Sequence, residues 1–127
     1  MKRETGALLR RAQRAILTGK ILSVRGDTDF AAGQAYHALH CTVRALLLER
    51  GLRVGGRRAV QRAFGDYFVK TGTFAPDFYR WLLDAHDRRI VGDYSTEKPF
   101  TVADTRDSLA RAQTFLLEAR RHLSCVE

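Results

Sequence analysis

Apolar residues recur at every third or fourth position in five separate runs of this chain, and no run alternates at period two over a useful length. That spacing puts the apolar side chains on one face of a helix, whereas a sheet would need alternation. It predicts an all-α fold. The first run spans about Thr5 to Val24, with Leu8, Leu9, Ala12, Ala15, Ile16 and Leu22 in one stripe and arginines at 10, 11 and 14 beside it. Arg25-Gly26-Asp27 ends it, and Asp27 is placed to cap a second helix over Thr28 to Arg50. Gly51 then supplies a stop, because glycine takes the left-handed conformation that closes a helix.

A third, shorter helix is expected from about Arg57 to Thr71, carrying Val60, Phe64 and Phe68, with Gly72 closing it. Pro76 suits the first turn of a fourth, with Phe78, Leu82, Ala85 and Arg89 on one face and the pattern fading after Val91. Residues 92–99 read as loop. Thr101 and Asp104 have the spacing of a capping box, opening a fifth helix with Thr105, Leu109, Ala112, Leu116, Ala119 and Leu123 inward. The expected architecture is an antiparallel, up-and-down four-helix bundle of helices one, two, four and five, with the short third as an accessory. With 127 residues and no linker-like stretch, the reading is one domain over 1–127.

Charge narrows the partners. The chain has 22 basic and 14 acidic side chains, a net +8, so its surface attracts polyanions, and arginine adds bidentate geometry for phosphate. No run approaches a membrane span and the N-terminal segment is too charged for a secretory signal, so a cytoplasmic protein that keeps off membranes is expected. Cys41 and Cys125 are read as thiols.

His37, His40 and Cys41 stand at i, i+3 and i+4 in the second helix. That spacing is compatible with a metal site needing a fourth ligand from elsewhere, with a groove or dimer seam lined by Tyr36, His37 and His40, or with a nucleotide pocket. In the last, Tyr36 or His40 stacks on a base and Arg44 holds a phosphate. Lys70, near a helix end, suits phosphate contact or a favourable charge at a helix C-terminus.

In order along the chain, residues 26–32 (GDTDFAA), Ala35-Tyr36, residues 44–52 (RALLLERGL), residues 68–72 (FVKTG), and Arg88 with Asp93-Tyr94 resemble the HEPN superfamily. The resemblance implies a small helical bundle, commonly a homodimer, often encoded beside a minimal nucleotidyltransferase and associated with nucleotide or RNA chemistry. Many members of that superfamily are metal-independent ribonucleases and toxins of toxin–antitoxin pairs, and no cofactor is implied.

Its catalytic members carry an arginine, four to six intervening residues, and a histidine. The imidazole acts as general acid or base and the guanidinium stabilises phosphate charge. Here Arg88 is followed at that distance by Asp93, whose carboxylate repels phosphate. Arg80 with His86 meets the spacing, although six helical residues set the two about 120° apart, so they would have to meet across a dimer. Histidine is also common in that superfamily where Arg57 stands. The expectation is a nucleotide- or RNA-associated domain with little hydrolysis of its own, partnered by a nucleotidyltransferase. The alternatives are a metal-independent endoribonuclease and a purely structural dimer.

Overall fold

The computed structural model describes residues 1–125, so the last two positions of the expected 1–127 domain lie outside the described residues. The fold is all-α: α1 (Arg3–Val24), α2 (Thr28–Glu49), α3 (Arg57–Phe64), a π-helical turn (Gly65–Val69), α4 (Pro76–Tyr94) and α5 (Val102–Cys125). No helix among the described residues is long and apolar enough to cross a membrane.

The central element is α2, which packs on α1, α4 and α5. Its alanines at 31, 32, 35, 38 and 45 are all buried, so small side chains let three neighbours approach it at once. The small-residue face of α2 is therefore consumed within the chain. The positions α2 leaves partly or wholly open to solvent include Phe30, Gly33, Gln34, His37, His40 and Arg44.

Both glycine stops close their helices. Gly26 (φ +85°) and Gly51 (φ +80°) take the left-handed conformation, and the next amide in each case reaches back five residues, Asp27 N–H to Leu22 O and Leu52 N–H to Leu47 O. Asp27 departs from expectation. Its side chain makes no cap hydrogen bond to α2, because its backbone (ψ 62°) is committed to closing α1, and its carboxylate instead lies 3.7 Å from Lys98. The capping box of α5 forms as expected: Thr101 N–H donates to Asp104 Oδ2 (2.9 Å) and Asp104 N–H donates to Thr101 Oγ1 (3.0 Å).

Two boundaries differ from the sequence reading. The third helix does not run evenly to Thr71 but widens after Phe64 into a π turn, closed by Lys70 N–H to Gly65 O (2.9 Å). Gly65 lies against Tyr79 there; a Cβ would come within 3.2 Å of that ring. The turn seats Phe64 and Phe68, both fully buried, in one cluster with Phe74 and with Phe115 of α5. In the second case α4 continues past Val91 to Tyr94. Its apolar pattern stops while the helix does not, because Gly92 is the contact: α4 presses so closely on the start of α2 that a Cβ would sit 3.1 Å from Asp29 O.

Candidate functional site

Helical phase divides α4 into two working faces. Leu82, Ala85, His86, Arg89 and Gly92 form one stripe at helical spacing that turns toward α2, while Asp77, Arg80, Trp81, Asp84 and Arg88 border a groove shared with α5.

On the first face, Tyr36 is the hub. It is buried on α2, its ring 5.3 Å from His86 and 5.7 Å from His40, and its hydroxyl 3.4 Å from His40 Nδ1. The guanidinium carbon of Arg89 lies over the Tyr36 ring, 5.4 Å from its centroid, which places a cation on the electron-rich face of an aromatic. Arg89 is also 3.6 Å from Asp93, one turn on. With its surroundings filled this way, Tyr36 serves as a platform for Arg89 and offers no open face to a base.

The electrostatics of the cluster are strongly cationic. Burial, then Arg44, His37, Arg57 and Arg89, push the His40 imidazole down to about 4, so it is neutral near pH 7. His37 is pushed the same way by burial and by Arg11, Arg89 and Arg44. Burial raises the Tyr36 hydroxyl against the pull of Arg57 and Arg89, so the phenol keeps its proton. Thus Arg44, Arg57 and Arg89 all act on the Tyr36–His40 pair, and a phosphate brought here would meet guanidinium groups and uncharged donors rather than carboxylates alone.

The histidine–cysteine trio does not converge. His37 Nε2 is 3.7 Å from Cys41 Sγ, whereas His40 turns to Tyr36. Cys41 is fully buried and burial raises its thiol, so it packs as a small apolar side chain. Among the described residues no group of three or more His, Cys, Asp and Glu side chains is arranged to hold a metal.

The second face holds the other arginines singled out from sequence. Arg88 Nη1 donates to Ser108 Oγ (2.9 Å) and Asp104 O (3.3 Å), and its Nε is 3.3 Å from Asp84. It therefore ties α4 to α5. Arg80 pairs with Asp77, and both border a groove of about 510 Å³ with Trp81, Asp84 and Arg111. Trp81 is half-buried, packed edge-on against Phe78 and overlain by Arg111. Within one chain, then, Arg80 and His86 lie on different faces of α4, and Arg88 and Asp93 have different partners. Lys70 pairs with Asp66 (2.9 Å) rather than with any member of the cluster.

Sequence reasoning placed Tyr36, His40, Arg44 and His86 in or beside this cluster but passed over Arg89 and Arg57. The signal for Arg89 was present, since it ends the Phe78-Leu82-Ala85 stripe. Arg57 was marked only as a position where that superfamily often has histidine, and nothing local tied it to Tyr36 and His40.

Comparison with known proteins gives one family. A model of the HEPN domain matches residues 5–122. Two proteins of Methanocaldococcus jannaschii, each named a putative toxin, are 28% and 23% identical to this chain; the matches cover 97% and 96% of it and 91% and 83% of those proteins. A UPF0332 protein of Gloeobacter violaceus is 26% identical, over 97% of this chain and 93% of its own length.

Proposed function

The chain belongs to the HEPN domain family, and from that premise we propose that it is the nucleotide- or RNA-associated member of a toxin–antitoxin-like pair, acting as a homodimer beside a minimal nucleotidyltransferase. The observation that carries the phosphate-binding reading is the convergence of Arg89, Tyr36, His40 and His86 between α2 and α4, with Arg44 and Arg57 acting on the same groups. Arg89 is held over Tyr36, so little rotamer freedom remains to be lost when it meets a phosphate oxygen. The names of the two archaeal relatives support the toxin-like setting.

The homodimer is supported by large apolar side chains left exposed around the α2–α4 crossing. Phe30 is 65% exposed, Val91 48% and Tyr94 85%, on either side of the Gly92–Asp29 contact. Covering them with a second copy removes apolar area from water.

The chemistry of the cluster supports a binding role without strand cleavage. His40 is neutral and half-buried, and Asp93, which stands where a histidine would act, is occupied with Arg89. One observation favours the endoribonuclease reading: His86 touches the same Tyr36 ring as Arg89, so an imidazole and a guanidinium border one side chain.

The experiment is a fluorescence-anisotropy titration with a labelled single-stranded RNA at several salt concentrations, in EDTA. Affinity is expected to fall as salt rises, because counterions leave the phosphates that are contacted. A salt-independent signal, or no binding at low salt, rejects the reading.

A further inference from the structure

A second basic surface adjoins the Arg89 cluster and shares Arg44 with it. The first three turns of α1, the C-terminal end of α2 and the loop after it enclose a groove of about 570 Å³. Its floor is aliphatic: Leu8, Leu52 and Val54 are partly buried and packed on the core, and Leu48 is 7% exposed. Arg11, Arg14 and Arg44 line it, and among the described residues none of these three has a carboxylate within ion-pairing distance. Where the groove does hold a carboxylate, at Glu4, the charge is already matched. Arg53 binds it through two hydrogen bonds of 2.9 and 3.3 Å.

We propose that this groove is the docking site for an acidic amphipathic helix of a partner protein, whose apolar side lies on Leu8, Leu48, Leu52 and Val54 while its carboxylates meet Arg11, Arg14 and Arg44. The composition of the groove selects this occupant over nucleic acid. Single strands are held by a cationic track with aromatic side chains for base stacking, and no aromatic lines this groove. An aliphatic floor under a guanidinium rim fits instead the helix-in-groove mode, in which every third or fourth residue of the ligand is an apolar anchor. The rim also has the right length: Glu4 to Arg14 spans roughly 15 Å of helix, about three turns of a partner laid alongside. The three arginines, without a carboxylate partner among the described residues, supply attraction at a distance and reject basic helices.

The test uses a fluorescein-labelled helical peptide of about three turns, leucine at i, i+3, i+4 and i+7 and glutamate on its flanks, titrated into the full chain. A control peptide has the same composition with leucine at every second position. The amphipathic peptide is expected to bind, the control roughly tenfold or more weakly, and Arg11→Glu/Arg14→Glu to lower the affinity of the first by a similar factor. Both substituted arginines are exposed, so folding is unaffected, and Val54→Asp probes the floor independently with a loss in the same direction. Arg89→Ala is expected to leave peptide binding unchanged, which separates this site from the phosphate cluster. Equal binding of the two peptides, or unchanged binding to the charge-reversed protein, overturns the proposal. So does a charge reversal that abolishes RNA binding while sparing the peptide, since the groove would then be a nucleic-acid surface.

Discussion

Arg89 of α4 lies over the ring of Tyr36 of α2, 5.4 Å from its centroid, while its neighbour Arg88 turns to another face of the helix and is bonded to Ser108 of α5. Adjacent arginines on one helix thus have different work, and substitution separates them. Arg89→Ala is expected to weaken RNA binding and to reduce the slope of log affinity against log salt by about 0.7, one phosphate contact on a single strand. Anisotropy titrations at several salt concentrations measure both.

Arg88→Ala is expected to leave that slope unchanged and to lower stability instead. It removes the donors to Ser108 and the Asp104 carbonyl and leaves Asp84 without its closest guanidinium from α4, a cost of about 1–3 kcal/mol. Urea denaturation followed by circular dichroism reads it out.

The stability of the chain depends on His40 with a definite sign. Its folded-state value, about 4, lies below the ordinary histidine value, so the unfolded chain binds more protons between the two. Stability is therefore full above about pH 6.5 and falls as the pH drops from there toward 4. His37, shifted in the same direction, adds to the slope. His40→Gln is expected to flatten this acid arm, seen as a smaller difference in urea midpoint between pH 7 and pH 5.

Two glycines in helices are expected to respond in opposite ways. Gly33 has open space where a Cβ would stand, so Gly33→Ala gains helix propensity and stabilises by up to about 1 kcal/mol. Gly92→Val forces α4 away from the Asp29 carbonyl and destabilises by about 1–3 kcal/mol. Thermal melts of the two variants against the parent check both signs.

The contrast between Gly26 or Gly51 and Arg89 shows what could be seen in the sequence. The helix stops and the Thr101–Asp104 box are set by residues within a few positions of one another, so local chemistry reveals them. The same holds for the inward stripe of α5, every member of which is buried. The choice between Arg88 and Arg89 is different. One residue turns a helix by about 100°, and which of the two meets α2 depends on how α4 crosses it, fixed by Gly92 against Asp29. The same long-range contact carries α4 beyond the end of its apolar pattern. The π turn after Phe64 belongs to this class too, since it is shaped by Tyr79 and by a cluster including Phe115 of α5.

The parent protein and its Arg89→Ala variant, incubated side by side in EDTA with end-labelled single-stranded RNA, test the α2–α4 cluster on both binding and chemistry. Native gels should show a shifted band for the parent that is lost or strongly weakened in the variant, and denaturing gels should show intact RNA in every lane. Equal shifts for the two proteins, or cleavage by the parent that disappears with Arg89, would contradict a cluster that holds phosphate without breaking the strand.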